Sequence, residues 1–159
     1  MKRWPVSTLL LLLAFSAVAA ADDPPCRAYL VPCNLGASFS GTLHYVATVE
    51  WADGKKVDDV TARIGSGKAA CRTPEGPIAG EGQVVVERGV GTDTDPAQPW
   101  YRIAVTCPGK DEIDTYKQPL QGGLQRLEGS VQGEHPETDP VNGVSGTVRL
   151  TWSLTRSPS

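Results

Sequence analysis

Apolar and polar residues alternate along two long stretches of the chain. The odd positions of 39–51 are mostly apolar, and the even positions of 144–154 repeat the pattern. A period of two residues is that of a β-strand with one buried face. The pattern therefore predicts two long, half-buried strands. Their inward residues are Phe39, Leu43, Tyr45, Ala47, Val49 and Trp51 in the first, and Val144, Val148, Leu150, Trp152 and Leu154 in the second.

The pair Asp53-Gly54 follows the first long strand at once. Such a pair favours a type I′ hairpin turn, because both central residues of that turn need a positive φ. A loop of these two residues sets Leu43 opposite Ile64 and His44 opposite Arg63. It also predicts that Tyr45 is buried and that His44, Thr48 and Glu50 are exposed.

Four shorter segments are typical of further strands, at 82–88, 100–107, 113–117 and 124–133. The sequence has 17 Gly and 13 Pro, which suits many turns between short strands. The sequence therefore predicts an all-β fold, a single antiparallel β-sandwich or small β-barrel of about six to eight strands.

The N-terminus has the pattern of an export signal. Lys2 and Arg3 precede an apolar run that ends in small residues, with cleavage expected after Ala19 or Ala21. That run is too short for a membrane anchor, and no other apolar run is long enough to span a bilayer. We therefore expect a signal peptide at 1–21, a cysteine-containing segment at 22–37 and a β domain at 38–155. The periplasm is the expected location, with the extracellular medium as the alternative.

Four cysteines follow the signal, at Cys26, Cys33, Cys71 and Cys107. In an oxidising compartment an even number of cysteines predicts two disulfides. Three pairings are possible; we favour Cys26–Cys33 and Cys71–Cys107. No C-x-x-C pair is present, which argues against a zinc site or a thioredoxin-like redox role.

The charge balance narrows the class of partner. Without Lys2 and Arg3, 13 basic residues face 18 acidic ones, a net charge of 13 − 18 = −5. This argues against binding to nucleic acid or to an anionic membrane. Acidic residues concentrate in three segments, which we expect to be loops that could steer a basic protein partner. They are Asp93, Asp95, Asp111, Asp114, Glu134, Glu137 and Asp139.

Candidate chemistry is weak, and the sequence predicts no catalytic residue, cofactor or metal. The segment 65–68 lacks the first Gly and the final Ser or Thr of a phosphate-binding loop. Asp93 and Asp95 lack the other ligands of a calcium-binding EF-hand loop. His44 and His135 are interpreted as ordinary surface or loop histidines.

Three hypotheses for function remain. The first is an exported, non-enzymatic protein that binds another protein, as an inhibitor, an immunity-type protein or an assembly accessory. The alternative is a carrier of a small apolar ligand in a sandwich or barrel cavity. The third is a small hydrolase without a recognisable motif. Residues that could line a carrier's cavity are Tyr45, Trp51, Tyr101 and Trp152.

Overall fold

A computed structural model of the protein describes residues 33–158. Within this range the regular structure is all strand, apart from two short 3₁₀ turns at Gly36–Ser38 and Pro140–Asn142. The strands are β1 (Cys33–Asn34), β2 (Phe39–Trp51), β3 (Gly54–Gly65), β4 (Lys68–Thr73), β5 (Gly76–Pro77), β6 (Gly82–Val90), β7 (Pro99–Thr106), β8 (Glu112–Asp114), β9 (Gln118–Pro119), β10 (Arg126–Glu134) and β11 (Ser145–Arg156).

All the strands belong to one antiparallel sheet. Its order is β10-β11-β2-β3-β4-β6-β7-β8, with β1 beside β6, β5 beside β4 and β9 beside β7. The sheet curls into a half-barrel of eight strands. The all-β, antiparallel prediction is therefore confirmed.

The alternating pattern predicted the buried faces well. β2 has the predicted bounds, and Leu43, Ala47 and Val49 are buried in it. His44 and Glu50 are exposed, as expected, but Thr48, also expected to be exposed, is half-buried. Trp51, expected to face inward, is exposed at the tip of the hairpin. Tyr45 is only half-buried, and its burial, followed by the charge of Asp58, raises the pKa of its phenol.

The predicted register of the first hairpin is wrong by two residues. Trp51 pairs with Gly54, so the loop is Ala52-Asp53, and none of these four residues has a positive φ. The turn is therefore not type I′. A shift of two residues leaves every side chain on its original face, so alternation alone cannot detect it.

The observed register changes which residues oppose each other. Leu43 lies opposite Ala62, and His44 lies opposite Thr61. At the tip of the hairpin, Glu50 now faces Lys55. Opposite charges on facing residues favour this register over one in which Glu50 faces an apolar residue.

The disulfide Cys71–Cys107 is confirmed. It joins β4 to the residue after β7, across a sequence separation of 36 residues. Cys26 lies outside the described residues, as does the predicted signal peptide. The Cys26–Cys33 pairing therefore stays a prediction.

A tyrosine–tryptophan pair joins the two sides of the curl. Trp152 on β11 donates its indole N–H to the hydroxyl of Tyr101 on β7, at 3.1 Å. The two rings meet edge to face, with centroids 6.5 Å apart. The Tyr101 hydroxyl donates in turn to the backbone carbonyl of Glu128 on β10, at 3.4 Å. These contacts bring β7 close to β10 and β11, which are far from it in the strand order.

Glycine makes room for tryptophan at two places in the sheet. Gly129 lies opposite Trp152, and Gly89 lies opposite Trp100. A Cβ atom at either glycine would lie 2.4 Å from the facing indole ring. Only glycine allows the ring to pack against the neighbouring backbone at these positions.

We expect Gly129→Ala to destabilise the protein by about 1–3 kcal/mol, because the added methyl overpacks the core. Gly133 is the matched control, since it lies on the same face of β10 and a Cβ there meets nothing within 4 Å. Gly133→Ala should change the free energy of unfolding by less than about 1 kcal/mol. Urea unfolding of the two variants measures the difference, and equal costs would contradict the packing of Trp152 on Gly129.

Replacing both Cys71 and Cys107 by Ser should lower the free energy of unfolding by about 4 kcal/mol. A bridge with a separation of 36 residues restricts the unfolded chain by that order in the chain-entropy model. Chemical denaturation of the variant and the oxidised protein checks the value. Labelling of either cysteine by a thiol reagent in the denatured, unreduced protein would contradict the bridge itself.

Candidate functional site

An acidic groove lies on the outer face of β2, β11 and β10, near the β10–β11 loop. Its volume is about 350 Å³. Glu50 from β2 and Glu134 from β10 are both in its lining. The other lining residues are small or hydroxylated: Thr48, Thr138, Ser145, Gly146 and Thr147.

Strand register places the two carboxylates. Ser145 on β11 faces Glu50, and Thr147 on the same strand faces Glu134. The two glutamates therefore stand on either side of β11, whose residues here are small. Both glutamates are exposed.

The β10–β11 loop next to the groove is held by its own hydrogen bonds. Asp139 begins the 3₁₀ turn and accepts hydrogen bonds from the side chain of Asn142 and the backbone N–H of Val141, which lowers the pKa of its carboxyl. Thr138 donates to the carbonyl of Gly146. These hydrogen bonds hold the loop in a defined conformation, and the carboxylate of Asp139 stabilises that conformation.

Glu137 lies on this loop with its carboxylate free. Its backbone N–H donates to Nδ1 of His135 at 3.1 Å, which fixes the backbone and leaves the side chain exposed. Among the described contacts, no cation lies within ion-pair distance of Glu137, Glu50 or Glu134. Lys55, opposite Glu50, makes no such contact either. The groove is therefore lined by two carboxylates, Glu50 and Glu134, without an ion-pair partner among the described residues, and Glu137 lies on the loop beside it.

The other predicted acidic residues lie elsewhere. Asp93 and Asp95 are in the β6–β7 loop, where Asp95 accepts from the backbone N–H of Ala97 at 2.8 Å. Tyr101, shortly after this loop, contacts Glu128 near the beginning of β10, whereas the groove is at the end of β10. The sheet therefore separates the Asp93 loop from the groove.

Asp114 is engaged within the protein. It accepts from Nε of Arg102 at 2.9 Å and from Nη2 at 2.6 Å, and it accepts from the N–H of Tyr116. Glu87 and Glu112 also contact Arg102, at 3.2 and 3.0 Å. The hydrogen bonds to Asp114, and after them the contact with Glu87, raise the pKa of Arg102. Asp114 therefore joins β8 to β7 and is not available to a partner.

Asp111 is exposed and follows Lys110, which pairs with Asp58 of β3 at 2.6 Å. Of the seven predicted residues, Glu134 lines the groove and Glu137 lies exposed on the loop beside it. Sequence analysis missed Glu50 as a member of the groove. Its exposed position on β2 was predicted, but its neighbours depend on the pairing of β2 with β11.

His135 lies in the β10–β11 loop beside the groove, where its N–H donates to the carbonyl of Gly146. His44 and the 65–68 loop make their contacts elsewhere. His44 contacts Asp59 at 2.8 Å, and Lys68 of the predicted 65–68 loop pairs with Glu81 at 2.7 Å. In residues 33–158 no three His, Cys, Asp or Glu side chains are grouped as a metal site would need. No helix in that same range is long and apolar enough to cross a membrane.

The four aromatic residues considered for a ligand cavity do not share one. Tyr101 and Trp152 contact each other in the core, and both line a groove of about 260 Å³ beside β10. Trp51 is at the hairpin tip with 39% of its surface exposed, and Tyr45 is half-buried.

Comparison with known protein families, with curated proteins and with solved structures finds no significant match.

We expect Asp114→Asn to lower the free energy of unfolding by about 1–3 kcal/mol, because it removes the charged acceptor of a half-buried Arg102. Asp111→Asn, a few residues away on the exposed surface, should change it by less than about 0.5 kcal/mol. Urea denaturation compares the two variants. A larger loss at Asp111 would show that the roles of the two aspartates are reversed.

Proposed function

We propose that this protein is an exported, non-enzymatic protein that binds another protein through the acidic groove. The observation that carries the proposal is the pair of carboxylates lining the groove, Glu50 and Glu134, which are exposed and without an ion-pair partner among the described contacts. The exposed carboxylate of Glu137, on the adjoining β10–β11 loop, adds a third negative charge beside the groove. Exposed charges of one sign steer a partner of the opposite sign and favour its binding. The partner should therefore present a basic surface.

The scaffold around the groove suits recognition of a folded partner. β2, β11 and β10 form a continuous antiparallel sheet below the groove, and Asp139 and Thr138 fix the loop beside it. A surface that is ordered before binding loses less entropy on association. The predicted export signal and the Cys71–Cys107 bridge support the periplasm, or the medium, as the place where binding occurs.

The test is quantitative capture from an envelope extract with two charge-reversed variants. Glu137→Lys reverses one exposed charge at the groove. Asp93→Lys is the matched control, because it reverses one exposed charge in the β6–β7 loop. We expect the first variant to retain about tenfold less of the captured partner than the wild type, and the control to retain as much.

The captured protein should be basic, and its capture should weaken as salt is raised. Equal loss with Asp93→Lys, or no loss with Glu137→Lys, would rule out the groove as the binding site. Native mass spectrometry that finds a bound small molecule and no protein would instead favour the carrier hypothesis.

A further inference from the structure

The outer edge of β10 is unpaired in the described part of the chain. β10 is the first strand in the sheet order and pairs only with β11. It has nine residues, whereas β8 at the other end of the order has three. Short edge strands, Pro and charged side chains, above all Lys, limit edge-to-edge pairing. β10 is long and contains no Pro and no Lys, and its charged residues are Arg126, Glu128 and Glu134.

Alternation along β10 identifies the backbone groups on this edge. The carbonyl of Glu128 accepts from Tyr101, on the side away from β11. On the other side, the carbonyl of Gln125 accepts from the N–H of Arg156, and the N–H of His135 donates to the carbonyl of Gly146. Both partners belong to β11. Because neighbouring residues of a strand point to opposite sides, the even residues present their N–H and C=O groups to the free edge. They are Arg126, Glu128, Ser130, Gln132 and Glu134.

This edge is complementary to itself. If a second copy pairs antiparallel with Ser130 opposite Ser130, Arg126 faces Glu134 and Glu128 faces Gln132, on both sides of the two-fold axis. Arg126 pairs with Glu128 of its own chain, so Glu134 of the second copy would extend this ion pair to a third charge. The five even residues then form hydrogen-bonded pairs, about eight bonds in all when the Glu128 carbonyl of each copy, which accepts from Tyr101, is left out. If the second copy shifts by one hydrogen-bonded pair in one direction, Glu128 lies opposite Glu134, and the two negative charges repel each other. If it shifts by one pair in the other direction, Glu134 has no residue of β10 opposite it.

The inner face of β10 accommodates the same register. Leu127 faces Gly133 of the second copy, and Val131 faces Gly129, so no two large side chains oppose each other. A groove of about 260 Å³ separates the first half of β10 from the segment that follows β8, including Gln118 and Pro119. Each copy's Ser130–Glu134 half would enter the other copy's groove.

We propose that β10 is a homodimer interface, in which a second copy of this chain adds its own β10 to the sheet. The inference rests on the strand edge and not on the protein-binding groove proposed above, although Glu134 belongs to both. A strand edge of nine residues is small for an interface, so the dimer is weak and depends on concentration.

The test is sedimentation equilibrium of the exported protein, from about 1 µM to about 1 mM. The wild type should change from monomer to dimer within this range. Ser130→Pro removes an edge N–H that the monomer does not use for pairing, and proline is tolerated on an edge strand. This variant should stay monomeric at the highest concentration, with an unchanged melting temperature.

A charge exchange tests the register without proline. Glu134→Arg sets the new guanidinium of one copy against Arg126 of the other across the axis, and should raise the Kd of the dimer by about tenfold. Adding Arg126→Glu to it restores opposite charges and should recover most of the affinity. Glu137→Lys, in the loop beyond β10, is the control and should dimerise as the wild type does.

Two results would overturn the proposal: a wild type that is monomeric throughout the range, or a dimer that persists in both Ser130→Pro and Glu134→Arg. Neither result touches the capture experiment, because its variants, Glu137→Lys and Asp93→Lys, leave the β10 edge intact. Loss of capture without loss of the dimer, and the reverse, are therefore separate outcomes.

Discussion

The contact between Trp152 and Tyr101 holds the curl of the sheet. β7 and β11 lie five places apart in the strand order, and the buried hydrogen bond between their side chains joins the two halves. Separation of the halves would leave a buried indole N–H without an acceptor and remove an edge-to-face ring contact. The strand pairing builds the sheet, but this contact selects its curvature.

The same contact explains why the curl stops short of closure. Tyr101 reaches Glu128 with its hydroxyl, so a side chain and not a strand bridges β7 to β10. Gly129 leaves room for the ring of Trp152 to lie against β10. The ring fills the core at this point, so β10 does not need to pair with β9 to exclude water. The result, within residues 33–158, is a filled core with a strand at its margin that pairs on one side only. The open edge therefore follows from how the aromatic core is packed.

Short-range pattern predicted the strands and their faces because burial acts on every second residue. Leu43, Leu150 and Leu154 are buried as alternation requires, and β2 has the predicted bounds. Alternation could not predict the register of the hairpin, because two registers that differ by two residues bury the same face. The pairing of Cys71 with Cys107 was one of three that spacing left open, and the fold brings their Cα atoms within 6.0 Å.

Side-chain contacts, which the sequence does not reveal, decide which of the predicted acidic residues are engaged within the protein. In the sequence, Asp114 and Glu137 are both acidic residues of segments expected to be loops. In the structure, the carboxylate of Asp114 accepts hydrogen bonds from Arg102, whereas the side chain of Glu137 is exposed. Arg102 is separated from Asp114 by twelve residues and a turn, so spacing did not reveal the pair. Glu50 joined the groove only through the pairing of β2 with β11.

Glu134 belongs both to the acidic groove and to the β10 edge, so the two proposed interactions are coupled. In the dimer its carboxylate faces Arg126 of the second copy, which lowers the negative charge offered to a basic partner. A partner that contacts Glu134 directly competes for the same group. Since such coupling is reciprocal, the partner should weaken the dimer by the factor by which dimerisation weakens its binding. Glu50 and Glu137 lie outside the paired edge and keep their charge in either state.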